Sequence, residues 1–378
     1  MKKTIFGDNT LHPNIAASLH NLGSYWSEIG DEKKAISYYE QSLTINKTIH
    51  GDKTAHPDIA QSLHGLGLSW SELGDQKKAI SYFEQLLTMR KTIHGDNTAH
   101  PSVATTLRFL GSSWGELGDH RKAITYFEQS LTMEKTIYGD NTAQPRLAQS
   151  LQGLGLSWHK LGDQKKAITY FEQLLAVEKT IHGYNTAHPS IAELLYTLGV
   201  SWSELGVEKK AISYYEQSLE MRKTIHGDNT AHPHISRSLN NLGSSWGRLG
   251  DWKQAISYFE QSLAMEKTIF GDNTAHPDIA TSLNNLGLSW HKLGDHRKAI
   301  SYFEQSLVMR KTIHGVDTVH PSIAQSLQGL GLSWSELGDQ RKSVSYNEQS
   351  QAMMQAIYDP WGEDAASREW LRYFNSEP

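Results

Sequence analysis

A 44-residue period governs this chain and restricts its fold more than any other feature. Pro recurs at Pro13, Pro57, Pro101, Pro145, Pro189, Pro233, Pro277 and Pro321, and Trp keeps the same step from Trp26 to Trp334. Repetition at such a fixed interval is the mark of an array in which each unit buries its apolar face on the next. The period also explains the composition. Most of the 11 Trp, 30 Gly and 19 His belong to ladders, with His12, His56, His100, His188, His232, His276 and His320 each preceding the repeated Pro. Only the fourth unit departs there, with Gln144.

One unit, from His12 to Ala55, holds two helical patterns. Ile15, Leu19, Leu22, Trp26 and Ile29 alternate in steps of four and three, which is helical spacing. Pro13 suits a first turn, where no intrahelical donor is needed, and Gly30 suits a left-handed C-terminal cap. Asp31 is the expected N-cap of the second helix, although unit five has Val207 in that place. Ala35, Ile36, Tyr39, Leu43, Ile45 and Ile49 give the second helix a wide apolar stripe. A breaker cluster, Gly51 to Pro57, then separates the units. The expected fold class is therefore an all-α solenoid of eight helix-turn-helix repeats.

Their boundaries fall at 12–55, 56–99, 100–143, 144–187, 188–231, 232–275, 276–319 and 320–363. Residues 1–11 copy the end of a second helix and are read as part of a preceding repeat. In unit eight, Ser343, Asn347 and Gln351 stand where other units have apolar residues, which is expected of a terminal repeat with a polar outer face. Residues 364–378, with Trp370, Tyr373 and Phe374, form a tail or a capping helix.

Composition excludes several functions. There is no Cys, so disulfide scaffolds, thiolate metal sites and cysteine nucleophiles are ruled out. The net charge of −5 lacks the Lys/Arg excess of a nucleic-acid binder. No apolar run approaches the roughly 20 residues that span a bilayer, and none suits a secretory signal, so neither a membrane nor secretion is expected and the location is read as cytoplasmic. The His ladder does not predict a metal centre, because equivalent residues of stacked repeats should lie about 10 Å apart and zinc ligands converge on one point. His232 and His234 are read as the only close pair. The Trp ladder is assigned to the core, and the repeated carboxylates to solvated faces. Nothing forms a unique catalytic constellation, so no enzyme activity and no cofactor are expected.

The repeated residues resemble the tetratricopeptide pattern. Leu22-Gly23, Trp26, Gly30, Ala35, Tyr39 and Ser42 occupy its characteristic positions, while its closing Pro is replaced by Lys47 and the aromatic after the turn is present only as Trp252. The long unit, with Asn240-Asn241-Leu242-Gly243, Ala255 to Leu263 and His276-Pro277-Asp278-Ile279-Ala280, is similar to the repeats of kinesin light chains and nephrocystin-type proteins. The resemblance implies a right-handed superhelix and a concave groove, lined by the first helices, that binds a peptide or protein segment. It does not imply motor attachment, for which no coiled-coil heptads are present. Nor does it imply a chaperone-type carboxylate clamp, whose inner Asn is Ser, Leu or Val here.

On the first-helix face, the position of Glu28 reads Glu72, Glu116, Lys160, Glu204, Arg248, Lys292 and Glu336 down the array, acidic at one end and basic in units six and seven. Arg237, Asn240, Asn241, Arg248, Asn284, Asn285, His291 and Lys292 are therefore the candidate binding residues. The asparagines would grip a peptide main chain and the cations would pair with its acidic side chains. Apolar pockets are expected near Val200 and Leu288. The expected partner is an acidic, extended protein or peptide segment, with no nucleic acid. A competing expectation is self-association through an exposed end of the solenoid.

Overall fold

The computed structural model describes residues 12–139, 144–228, 230–272 and 274–358. Every repeat contributes a shorter and a longer helix. In the first four repeats these are α1 (Pro13–Glu28) and α2 (Glu32–His50), α3 (Pro57–Glu72) and α4 (Gln76–His94), α5 (Pro101–Glu116) and α6 (His120–Tyr138), and α7 (Pro145–Lys160) and α8 (Gln164–His182). The last four repeats hold α9 (Pro189–Glu204) and α10 (Glu208–His226), α11 (Pro233–Arg248) and α12 (Trp252–Phe270), α13 (Pro277–Lys292) and α14 (His296–His314), and α15 (Pro321–Glu336) and α16 (Gln340–Tyr358). All regular structure among the described residues is helical, and the chain is an α-solenoid. It divides into two compact units between Thr186 and Ala187.

Local chemistry explains the helix ends. Each first helix starts with Pro in its first turn, and the preceding His is the N-cap: His12 Nδ1 accepts the Asn14 amide at 3.1 Å. Gln144 caps nothing with its side chain. Asp31 Oδ1 accepts the Lys34 amide at 3.2 Å, whereas Val207 makes no such bond. Gly30 turns the chain at φ +80° with open space where a Cβ would lie, a conformation that costs glycine little.

Packing within a repeat depends on a close approach. A Cβ on Gly67 of α3 would lie 2.4 Å from the Phe83 ring of α4, so only glycine admits the aromatic there. Six repeats add a hydroxyl link between the two helices, exemplified by Ser42 Oγ donating to the Ala16 carbonyl at 2.9 Å. Repeats two and four replace that Ser with the buried Leu86 and Leu174. Between repeats of the same compact unit, the second helix of one repeat covers the first helix of the next. Tyr39 of α2 packs with Leu66 of α3, which is wholly buried, and Tyr215 of α10 packs with Leu239 and Leu242 of α11. Burying a Leu in this way contributes about 1.5–3 kcal/mol.

Three expectations need correction. Ile29 is exposed, and so are its counterparts from Leu73 to Leu337 except the half-buried Leu205, because they sit at the helix C-cap where the helical period no longer aims the side chain. Leu22 is also exposed, whereas Leu66, Leu110, Leu154, Leu242, Leu286 and Leu330 are wholly buried, each following a second helix of its own compact unit; the segment before repeat one lies outside the described residues. The Trp side chains sit at the rim of the core, half-buried, with a Lys ammonium over the ring (Lys78 at 3.6 Å from the Trp70 centroid). The same pairing holds in seven repeats and lapses only where Gln254 replaces Lys. Unit eight keeps Ser343 buried and leaves Gln351 exposed. The preceding partial repeat (1–11) and the tail (364–378) lie outside the described residues.

Candidate binding face of the first helices

In the second unit the first helices of consecutive repeats lie side by side, and their side chains interlock. Helix α11 presents Arg237, Asn240, Asn241 and Arg248, and α13 presents Asn284, Asn285, His291 and Lys292. Arg237, Arg248 and Lys292 are exposed and the four asparagines are half-buried. Asn241 Nδ2 donates to the Tyr196 hydroxyl of α9 at 2.9 Å, and Asn285 Nδ2 donates to Asn240 Oδ1 at 3.1 Å. Asn240 Nδ2 in turn donates to Ser282 Oγ at 2.9 Å. Asn284 Oδ1 accepts from Ser326 Oγ at 3.2 Å and from Arg310 Nη1 at 3.3 Å. An amide side chain has an acceptor and two donors, so each asparagine links neighbouring repeats and keeps further capacity for a ligand.

The three exposed cations are not equivalent. Arg248 Nη1 donates to Glu208, whose carboxylate is almost fully buried, at 3.1 Å and also to the Ser203 hydroxyl. Arg248 is thus held by the protein itself. Arg237 and Lys292 have no ion-pair partner among the described residues. Beside them, Leu288 and Leu332 are 41% and 46% exposed, so charge and apolar surface lie on one face. His291 is half-buried with its Nδ1 3.1 Å from Ser333 Oγ, and burial holds its pKa below the ordinary imidazole value. Its neighbour His296 and the Lys292 ammonium act in the same direction, and Glu336 opposes them. In the first three repeats the matching line is acidic, Glu28 and Glu72 preceding Glu116, whose carboxylate accepts from Gln76 Nε2, and repeat four has Lys160 there.

Two features were missed by sequence reasoning. The first is a polar position on six of the second helices, occupied by the half-buried Arg90 and the buried Asn46, Glu134, Arg222, Glu266 and Arg310. Glu134 and Glu266 are fully buried, as are Arg222 and Arg310. Arg222 is paired with Glu193 of α9 at 2.6 Å. The position was detectable, because Ala35, Tyr39, Ser42 and Asn46 fall in steps of four, three and four on one stripe. The second is a set of ring stacks. His232 and His234 are not the only close pair: His50 stacks on His56 and His94 on His100 with centroids 3.5 Å apart, His226 on His232 and His314 on His320 at 3.7 Å. At these junctions, and at His276 with Phe270, the ladder His meets a ring six residues upstream, across the loop that joins two repeats.

Among the described residues no helix is long and apolar enough to cross a membrane. A comparison with curated proteins gives no significant match. Solved structures give fold matches. Residues spanning 95% of this chain align with 50% of a signal transduction ATPase with a tetratricopeptide repeat sensor from Pyrococcus horikoshii, at 14% identity and a TM-score of 0.60. BtubC (BKLC) from P. vanneervenii aligns at 19% identity over 65% of this chain and 96% of that one, with a TM-score of 0.50. A putative kinesin light chain from Podosopora anserina with nearly identical TPR-like repeats gives 19% identity over 57% of this chain and 99% of that one, with a TM-score of 0.48. At these identities the likeness is one of fold. Tetratricopeptide repeat profiles match residues 15–58, 59–102 and 191–234, and a second such profile matches 102–180, 234–312 and 278–356. No catalytic family is indicated. With nearly every residue from 15 to 356 so matched, the chain belongs to the tetratricopeptide repeat family, whose arrays are protein-interaction scaffolds.

Proposed function

We propose that this chain is a non-catalytic scaffold whose second unit captures an acidic, extended peptide segment on the first-helix face. The observation that supports this reading is the free pair Arg237 and Lys292, two exposed cations without ion-pair partners that flank half-buried asparagines and the exposed Leu288 and Leu332. Acidic side chains of a ligand supply the missing partners, with the Arg guanidinium able to bind a carboxylate through two parallel bonds. Asparagine capacity left over from the inter-repeat bonds suits a peptide main chain, and the leucines suit an apolar side chain. Arg248 has a lesser part, since Glu208 already holds it.

The test is a peptide-display selection against the purified chain, followed by fluorescence anisotropy of the enriched peptides at two salt concentrations. Enriched acidic segments are expected to bind at least about tenfold more weakly to the Arg237→Glu, Lys292→Glu double variant, and more weakly at high salt. Selection of non-acidic peptides, or affinity indifferent to the double reversal, overturns the reading.

A further inference from the structure

The ring stacks at the repeat junctions share one geometry but not one chemistry. At the junction of repeats one and two, a carboxylate joins two imidazoles: His50, His56 and Asp58. The neighbouring junction has Ser102 in place of that Asp, as the junction of repeats seven and eight has Ser322, and in both the Ser hydroxyl already engages the ladder His at 2.8 Å. The junction of repeats six and seven keeps Asp278 but stacks Phe270, not His, on His276, at the same 3.5 Å and 11° as His50 on His56.

The three groups at the first junction face one another. His50 Nε2 and His56 Nδ1 are each 3.8 Å from Asp58 Oδ2. All three ligand atoms lie within 4.8 Å of one another. A point equidistant from such a triangle is about 2.2–2.5 Å from each atom, close to the zinc bond lengths of ~2.0–2.2 Å to nitrogen and oxygen. Both ring edges that matter look to the same side, toward the carboxylate. His50 Nε2 is shut off from solvent and has no hydrogen-bond partner, which is unusual for a buried polar atom.

The charge around the site separates this junction from those of repeats two and three, five and six, and seven and eight. At the His94–His100, His226–His232 and His314–His320 stacks, a guanidinium occupies the register of Asn46. Arg90 Nη1 donates to the Ser102 carbonyl, Arg222 Nη1 to that of His234, and Arg310 Nη1 to that of Ser322. At the first junction the neutral Asn46 Nδ2 makes the corresponding bond to the Asp58 carbonyl at 3.3 Å. The set of three histidines at His226, His232 and His234 therefore has a fixed positive charge beside it, whereas His50, His56 and Asp58 do not.

We propose that His50, His56 and Asp58 bind a borderline divalent transition-metal ion, with Zn²⁺ favoured, and that the ion fastens α2 to α3. Two neutral imidazoles and a carboxylate are a donor set that zinc accepts, as do nickel and copper. Binding takes His56 Nδ1 from its 3.3 Å bond to the Asp58 amide and turns both rings edge-on to the ion. Three protein ligands leave a further coordination position to solvent.

The test uses the full chain, stripped with a chelator and titrated with Zn²⁺ by calorimetry, with Co²⁺ visible absorption as a second readout of coordination. His50→Phe is expected to keep the fold, because Phe270 occupies the same stack, and to weaken Zn²⁺ binding by at least about tenfold. Asp58→Ser should do the same, while His94→Phe, at a junction without a carboxylate, should leave the affinity unchanged. Zn²⁺ should also raise the melting temperature of the parent chain and not that of His50→Phe. The proposal is overturned if the parent chain binds no Zn²⁺ in the micromolar range. It is equally overturned if His50→Phe and Asp58→Ser leave the isotherm intact, or if His94→Phe weakens binding as much as they do.

Discussion

Two neighbouring junctions of the second unit differ by a side chain of opposite charge at the same register. Glu266 of α12 and Arg310 of α14 lie one repeat apart, are 2% and 4% exposed, and each reaches toward the next first helix. Glu266 Oε1 accepts from Ser262 Oγ at 2.9 Å. Arg310 Nη1 donates to Ser326 Oγ at 3.0 Å, to Asn284 Oδ1 and to the Ser322 carbonyl. Neither forms an ion pair among the described residues. Burial raises the Glu266 carboxyl above its usual range, with Ser282 and Ser262 opposing the shift and Asp278 adding to it, and burial pulls Arg310 down to about 10. What makes one slot serve both signs is the serine hydroxyl, which donates to a carboxylate and accepts from a guanidinium without moving its oxygen.

Arg310→Ala is the most severe way to break this comparison. It removes three hydrogen bonds, leaves the Ser322 carbonyl and Asn284 amide without that donor, and opens a gap between repeats seven and eight. A loss of about 3 kcal/mol is expected, read from urea unfolding followed by circular dichroism. Glu266→Gln sharpens the contrast with the opposite sign. The amide keeps an acceptor for Ser262 and removes a buried charge, so a gain of about 1 kcal/mol is expected at neutral pH. Since the folded chain holds this proton more tightly than the unfolded one, the stabilisation from Glu266 is full below about pH 4.3 and is lost as pH rises through the raised value. The variant should lack that fall, and equal pH profiles for parent and variant would falsify the assignment. Lys292→Glu, on the exposed face, should change stability by less than about 0.5 kcal/mol while weakening acidic peptides.

The same contrast explains what could be read from the sequence. Pro13, Gly30 and Asp31 act through their own backbone or the nearest turn, so their roles are visible in a few neighbouring residues. The leucines from Leu66 to Leu330 repeat without change and show their burial by period alone. Position 46 does not, because its alternation of Asn, Arg and Glu imitates a solvated face; only the slot supplied by the next repeat makes it an interior position. The His50–His56 stack was hidden for a related reason. Its partners are six residues apart across a loop, a separation with no meaning until Gly51 has turned the chain. On the candidate face the residue types were visible, but the inter-repeat bonds of Asn240, Asn241, Asn284 and Asn285 were not, since they join side chains about 45 positions apart.

The hydroxyl slot also bears on how such an array changes length. Near-identical tandem copies misalign readily when genetic material recombines, and each misalignment deletes or inserts a whole 44-residue unit. Such an event brings together two repeats that were never neighbours, with whatever charges they carry. A joint that required a matched Arg and Glu would reject half of these unions. Repeats two to eight carry Ser or Thr at this position except the fifth, which has Leu194, and a joint built on that hydroxyl accepts either sign, so most new neighbours meet a surface that fits them at once.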